Sequence, residues 1–336
     1  MNVPVIAFFN NKGGVGKTSL VYHVAWMIAG WPSWRVVAAD LDPQGNLTAA
    51  FLEDSRLEAL WQEDGPARTI YGALRPLEEG TGDVADPHLE QIDDSLFLLP
   101  GDMALSGFED DLSECWPKCL SGDMRAFRII SAFWRILQAG ARAQKAHVVL
   151  VDLGPNLGAI NRAALIAADY LVVPLGPDLY SLQGLRNLGP TLRIWRQGWR
   201  QRREQNKNRN TNLELPVAGM QPLGYVVLQH STRLDRPVRS YEQWIARIPE
   251  YYQRYVLDGH SVSNVSVAND PHCLLLLKHY RSLMPMAQEA RKPIFRLQPA
   301  DGALGSHARN VQQADTDFRK LAQRILDKAG LVTPVE

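Results

Sequence analysis

Cysteine is scarce. The chain has 336 residues and only Cys115, Cys119 and Cys273, too few for a disulfide framework, which points to a reducing compartment. Cys115 and Cys119 do not have the spacing of the usual zinc pairs, and no His/Cys set lies nearby, so the thiols read as ordinary packing residues. Charge of one sign is not in excess either: 36 basic residues balance 36 acidic ones. Such a chain has no global attraction for nucleic acid, so any binding there requires a local patch. No apolar run approaches the roughly 18–20 residues that span a bilayer, and stable membrane insertion is not expected. No leader pattern precedes the first strand signal, so a cytoplasmic protein is expected. Repeats are absent. What remains, 46% apolar and 21% charged, suits a globular protein.

Strand and helix signals alternate, which predicts an α/β fold: a mostly parallel sheet covered by helices on both faces. Strands are expected at Val5–Phe9, Arg35–Leu41, Leu96–Leu99, Val148–Leu153, Tyr170–Pro174 and Gly224–Leu228. Helices are expected at Ser19–Gly30, Phe127–Gln138, Ala163–Ala168 and Val311–Ala329, the last with Phe318, Leu321, Ile325 and Leu326 on one face. We read residues 1–330 as one domain with a short tail at 331–336. Two stretches, 53–123 and 232–285, exceed a minimal unit and are treated as elaborations.

The run Asn10, Asn11, Lys12, Gly13, Gly14, Val15, Gly16, Lys17, Thr18, Ser19 lies between the first strand and the first helix. A glycine loop there exposes successive backbone N–H groups at a helix N-terminus, where hydrogen bonds and the helix dipole favour phosphate. Lys17 would reach the β- and γ-phosphates, and the Thr18 hydroxyl would ligate Mg²⁺. The common phosphate-loop pattern opens with Gly, but Asn11 holds that place here, and a second lysine, Lys12, precedes Lys17. Asp40 and Asp42 follow the second strand, where carboxylates face the ligand crevice and can hold a metal-bound water or orient an attacking one. Asp152 ends the apolar run from Val148, an arrangement that typically holds Mg²⁺ through water.

These motifs resemble the ParA/MinD family of P-loop NTPases (deviant Walker A, SIMIBI-like), over roughly residues 1–52, 146–230 and 290–330. The resemblance implies a slow Mg²⁺-dependent ATP hydrolase, stimulated by a protein adaptor, that forms an ATP-dependent homodimer. It assigns Lys12 to a partner subunit's nucleotide, Asp42 to the hydrolytic water, and Asp40 and Asp152 to the metal side. Asp152 and Pro155 match the family's Asp-x-x-Pro pattern. The segment Pro174–Leu185 looks like the start of the helix at the family's dimer face, capped by Asp178 or Ser181. Lys292–Phe295 and Ser306–Arg309 resemble the last strand and the loop beyond it, and Gln229 is the candidate adenine contact. The larger partition ATPases carry an upstream helix-turn-helix domain, which is not expected here, nor is autoregulation through operator DNA.

Between Arg193 and Arg209 the basic residues Arg193, Arg196, Arg200, Arg202, Arg203, Lys207 and Arg209 face only Glu204, with Trp195 and Trp199 interleaved. This is the candidate surface for non-specific duplex DNA, with a solvated helix packed by its tryptophans as the plain alternative. The expected role is DNA partition or cargo positioning, with nucleoid association if DNA is bound. Alternatives are a nucleotide-gated interaction module in a mobile-element or defence system, a MinD-like membrane-cycling ATPase, whose basic amphipathic tail is not seen at 331–336, and an iron-protein-like electron donor, whose ligand cysteines would need to lie at the site.

Overall fold

The computed structural model describes residues 2–61, 68–207, 213–228, 238–259, 265–278, 280, 282–303 and 305–331. Its strands are β1 (Val5–Phe8), β2 (Val36–Asp40), β3 (Glu90–Asp93), β4 (Leu96–Leu99), β5 (Val148–Asp152), β6 (Tyr170–Leu175), β7 (Gln221–Leu228) and β8 (Cys273–Leu277). They form one sheet in the order β3-β4-β2-β5-β1-β6-β7-β8. Every neighbouring pair is parallel except β3 with β4, an antiparallel edge.

The helices are α1 (Lys17–Ala29), α2 (Asn46–Phe51), α3 (Asp54–Leu60), α4 (Ile70–Glu78), α5 (Phe108–Lys118), α6 (Met124–Ile130), α7 (Ala132–Ala143), α8 (Ala159–Ala167), α9 (Leu179–Lys207), α10 (Val238–Ile245), α11 (Ile248–Tyr251), α12 (Leu283–Ala290) and α13 (Ser306–Lys328). Side chains alternate across a strand, and β1 shows the result. Val5, Ala7 and Phe9 enter one core with Leu74, Leu112, Phe133, Leu165 and Leu188 of α4, α5, α7, α8 and α9. Ile6 and Phe8 enter the other with Leu20, Leu47, Leu283 and Leu321 of α1, α2, α12 and α13. Burial on both faces explains why the inner strands read as continuous apolar runs.

The structure departs from expectation in three places. The helix expected over Phe127–Gln138 is two, α6 and α7, meeting at Ser131, whose hydroxyl donates to the Phe127 carbonyl at 2.7 Å beside the backbone bond from its own N–H at 3.0 Å, a back-bond that bends a helix. The last strand is not at Lys292–Phe295. Pro293 offers no N–H to a ladder, the Ile294 N–H is taken by the His23 ring at 3.2 Å, and Ile294–Arg296 is a 3₁₀ turn. The edge strand is β8, inside the stretch treated as an elaboration, and it pairs with β7.

Helix α9 runs 29 residues and touches three distant parts of the molecule where it has glycine. At Gly184 a Cβ would lie 2.9 Å from Asn11 Oδ1 and 3.0 Å from Asn10 Oδ1. At Gly189 the Tyr255 carbonyl, in the π-helical turn Tyr252–Val256, leaves no room for a Cβ. At Gly198 a Cβ would meet Trp116 of α5 at 3.2 Å.

Candidate nucleotide site

The loop between β1 and α1 is built from its glycines. Gly14 and Gly16 have φ of 70° and 83°, the left-handed region that glycine enters without strain. Gly16 is also packed close, since a Cβ there would meet Leu228 at 3.1 Å. Asn10 anchors the loop: its Nδ2 donates to the Pro174 carbonyl at 2.7 Å, and its Oδ1 accepts from the Lys12 N–H at 3.1 Å. Val15 is buried and pins the loop, while Gly13 and Gly14 face outward.

Lys17 is 7% exposed, and its Nζ donates to the Lys12 carbonyl at 3.2 Å. Burial lowers its pKa, opposed by the charges of Asp152 and Asp42. Lys12 points elsewhere. Its ammonium forms an ion pair with Asp178 and lies 5.7 Å from the centroid of the exposed Tyr180 ring. Desolvation pushes the Asp178 carboxyl up, but hydrogen bonds from Lys12 and Ser181 outweigh it and hold the group below its ordinary range. Asp178 Oδ1 also accepts the Ser181 N–H at 2.9 Å, and so caps α9.

The three carboxylates differ. Asp40 and Asp152 are fully buried register partners at the ends of β2 and β5. Asp40 Oδ2 accepts from both the N–H and the hydroxyl of Thr48, at 2.8 and 2.7 Å, and Oδ1 accepts the Asp42 N–H at 3.3 Å. Gly101 lies against it, with a Cβ position 2.9 Å from Asp40 Cγ. Its carboxylate is thus spent on the start of α2. Burial raises its pKa to about 6, with the Thr48 bonds pulling the other way. Neither oxygen of Asp152 has a hydrogen bond of full geometry among the described residues, although the Thr18 side chain lies close enough to lower its pKa. Burial, then the Asp40 charge, pushes its pKa to about 8. A buried carboxylate left bare is costly unless a cation or donor meets it. Asp152 therefore fits a metal-bound water shell, with Thr18 at the start of α1 as the hydroxyl ligand. Asp42 is 6% exposed, accepts the Gln44 N–H at 3.1 Å, and lies over Gly154, whose Cβ position is 3.2 Å from Asp42 Oδ1. The loop after β5 and the turn after β2 are in direct contact through this pair.

A groove of about 740 Å³ opens along the phosphate loop and Asp42, a size that suits a nucleotide; Asp40 and Asp152 lie behind its lining. Lys17, Thr18, Ser19, Asp42 and Pro155 line one end, and Met284, Ala287, Gln288 and Arg291 close the other. That second wall, α12 and the turn after it, is absent from the sequence-based site. So is Glu109 of α5, whose carboxylate accepts the Ala159 and Ile160 N–H groups at 2.5 and 2.8 Å and caps α8 behind the Asp152 loop. Neither carries a local signal, because both meet the site only through tertiary packing. Gln229 lies outside the described residues.

The basic stretch is only partly a surface. Arg193 donates to the Tyr255 carbonyl at 2.8 Å and faces Asp258 at 3.4 Å. Arg196 donates to the Met220 carbonyl at 2.6 Å. Arg202 is buried, donates to the Trp116 carbonyl at 2.7 Å and stacks 3.8 Å over the Trp116 ring. Trp195 and Trp199 are buried on the same helix. Arg200 is exposed and Arg203 half-buried, while Arg209 and the Lys207 side chain lie outside the described residues. Cys115 and Cys119 sit in the core of α4–α9, and burial raises the Cys119 thiol to about 12. Among the described residues no group of three His, Cys, Asp or Glu side chains could hold a metal, and no helix is long and apolar enough to cross a membrane.

A family model described as an AAA domain (AAA_31) matches residues 3–202, more than half of the chain. The chromosome partitioning protein ParA of Myxococcus xanthus is 29% identical over 197 residues, 58% of this chain and 59% of that protein. The sporulation initiation inhibitor protein Soj of Bacillus subtilis is 29% identical over 191 residues, 56% of this chain and 65% of that protein. Against a further curated relative, from Rhizobium rhizogenes, the match covers 42% of the relative, so the chain spans about half the length of such relatives. A solved Corynebacterium diphtheriae protein superposes with a TM-score of 0.67 at 27% identity, covering 93% of this chain and 98% of that one. With a phosphate loop carrying Lys12 and Lys17, Asp152 at the end of β5 and Asp42 in the turn after the neighbouring β2, the chain belongs to this family, as a ParA-type P-loop ATPase.

Proposed function

We propose that the chain is a Mg²⁺-dependent ATPase that dimerises around ATP and works as a nucleotide switch, in partition of plasmid or chromosomal DNA or positioning of a comparable cargo. The observation that carries this is Asp152: a fully buried carboxylate at the end of β5 that has no hydrogen bond of full geometry among the described residues and faces only the Thr18 side chain and the Lys17 charge of the phosphate loop. Bound Mg²⁺ supplies charge neutralisation at the phosphates. Lys17 leaves its loop carbonyl to pair with the β- and γ-phosphates. Gly13–Ser19 present backbone N–H groups to them. Asp42 orients the attacking water and carries the hydrolytic role. Catalysis of this kind is positioning and charge stabilisation rather than covalent chemistry.

Lys12 supports the dimer reading. Its ammonium is directed away from its own phosphate cradle, toward Asp178 and Tyr180 on the outside of α9. Across an interface it would meet a partner's nucleotide. The Myxococcus relative, by its name a partitioning protein, favours DNA as cargo. Within this chain DNA contact would fall to Arg200 and Arg203, because Arg193, Arg196 and Arg202 already serve protein carbonyls. An adaptor that stimulates turnover completes the proposal, and a cytoplasmic, nucleoid-associated location would follow from it.

The decisive measurement is on Asp42→Ala. It is expected to bind ATP, to turn over at least about 100-fold more slowly, the scale of one lost catalytic group, and to accumulate at twice the monomer mass by light scattering. Wild-type turnover in that variant would remove Asp42 from the mechanism. A second reading, a nucleotide-gated interaction module, is favoured by one contact. Glu109, from the 53–123 elaboration, caps α8 directly behind the Asp152 loop, so that elaboration is mechanically joined to the segment that senses nucleotide. Stimulation of turnover by DNA supports partition, and DNA-independent turnover with ATP-dependent partner capture supports the module.

A further inference from the structure

The turn that carries Asp42 touches Trp61, the residue that ends α3. The indole lies against Gly45, where a Cβ would meet Trp61 Cζ2 at 3.4 Å and Cη2 at 3.9 Å. Gly45 has a φ of 64° and donates its N–H to the Asp42 carbonyl at 2.9 Å, which closes the turn Asp42–Gly45. The same indole begins a chain of hydrogen bonds that ends on the Asp42 backbone. Trp61 Nε1 donates to the Gly101 carbonyl at 3.2 Å, and the Gly101 N–H donates to the Thr48 hydroxyl at 2.8 Å. That hydroxyl donates to Asp40 Oδ2 at 2.7 Å, and Asp40 Oδ1 accepts the Asp42 N–H at 3.3 Å. Thr48 and Asp40 are fully buried, so water does not compete along the middle of the chain. Trp61 itself has a fixed base. Its N–H donates to the Leu57 carbonyl at 3.1 Å, and Arg56 of the same helix donates through Nε to Glu90 of β3 at 2.8 Å. Asp42, Gln44 and Asn46 line the groove, and Trp61 does not, so it reaches the chemistry only through the turn.

We infer that Trp61 is a positioning residue for Asp42: its ring backs the Asp42–Gly45 turn, and its N–H holds Gly101 onto the Thr48–Asp40 pair, so that the Asp42 carboxylate keeps its bearing on the attacking water. This deepens the ATPase reading and rests on it. It also gives the 53–123 stretch a task in hydrolysis, since Trp61 and Gly101 both belong to it.

Single-turnover hydrolysis of ATP with Mg²⁺ by the full chain, with and without Asp42→Ala, tests the inference. Trp61→Phe keeps a ring against Gly45 and loses the N–H, and Trp61→Leu loses both. Melting of each apo variant sets an assay temperature at which all are folded. Hydrolysis is expected to slow several-fold in Trp61→Phe and about tenfold or more in Trp61→Leu, the scale of a slightly misplaced catalytic group. ATP affinity by calorimetry is expected to stay within about twofold, because the nucleotide does not meet the indole. In the Asp42→Ala background neither substitution should slow the residual turnover further, since a residue that acts through Asp42 has nothing left to orient. Wild-type rates in both Trp61 variants overturn the inference, and so does equal slowing with and without Asp42, the mark of a general loss of structure. Weaker ATP binding at an unchanged hydrolysis rate overturns it as well. A wild-type rate in Trp61→Phe beside a slowed Trp61→Leu overturns the hydrogen-bonded chain and supports the ring. A wild-type chain that does not hydrolyse ATP, or an Asp42→Ala chain as fast as the wild type, overturns the hydrolytic reading itself and this inference with it.

Discussion

Asp40 and Asp152 are the same residue type, equally buried, opposite one another on adjacent strands, yet their surroundings differ. Asp40 has three donors from its own chain, whereas Asp152 has no hydrogen bond of full geometry among the described residues and only the Thr18 side chain beside it. A satisfied buried carboxylate stabilises its surroundings; a bare one is a standing cost that a bound cation would offset. On the proposed function, that difference makes Asp40 a brace and Asp152 a binding group where position alone does not tell them apart.

The contrast can be strained in four ways. The largest effect is expected at Lys17, the cation that shares the bare half of the site. Lys17→Ala should weaken ATP–Mg²⁺ binding by roughly 2–5 kcal/mol, the cost of removing one partner of a desolvated charge pair. Unchanged affinity by calorimetry would place the phosphates elsewhere. Next, Asp40→Ala should destabilise the apo fold by about 2–4 kcal/mol, since it strands two Thr48 donors and opens a hole against Gly101. Asp152→Asn should leave apo stability within about 1 kcal/mol, because an isosteric amide keeps its oxygen beside Thr18 and carries no buried charge, and should abolish the Mg²⁺ dependence of ATP binding. Equal denaturation midpoints for the two variants would erase the distinction.

His23 is a third buried titratable group, and it sides with Asp40. Its Nδ1–H donates to the Ser19 carbonyl at 2.6 Å, its Nε2 accepts the Ile294 N–H, and the ring stacks on Phe318 at 4.8 Å. Burial lowers its pKa to about 4. The unfolded chain, near 6.5, binds the proton more readily, so stability is fully present above about pH 6.5 and is lost as pH falls toward 4, by up to about 3 kcal/mol. His23→Gln should flatten that part of the pH–stability curve, and a wild-type curve already flat from pH 6.5 to 4 would contradict the assignment. The smallest effect concerns DNA. Arg200→Ala with Arg203→Ala should reduce the slope of log K against log salt by about 2 if both meet phosphates, and leave ATP-dependent dimerisation intact. Arg202→Ala, by contrast, should cost stability, because Trp116 loses its donor and its stacked cation.

How much of this was legible in the chain follows from distance along it. The loop Lys12–Ser19 with its flanking strand and helix, and the carboxylates at 40, 42 and 152, are contiguous patterns whose chemistry depends on near neighbours. The sheet was legible wherever strands are rich in β-branched residues, as in Val148–Asp152. The β8 edge was not, because Cys273–Leu277 is a leucine run that fits a helix equally well. The partner of Asp40 was not, since Thr48 reaches back from α2. A charge count over Arg193–Arg209 could not show that Arg202 would be buried under Trp116. The second wall at α12 joins the site only after β8 has found its place beside β7.

Helix α9 has a mechanical consequence. It is clamped at Gly184 against Asn10 and Asn11, at Gly189 against Tyr255 and at Gly198 against Trp116. Beyond the last clamp Trp199 and Arg202 are buried, and Arg202 stacks on Trp116. The helix is therefore a fixed strut that fastens the phosphate loop to α5, with no free arm before Arg203.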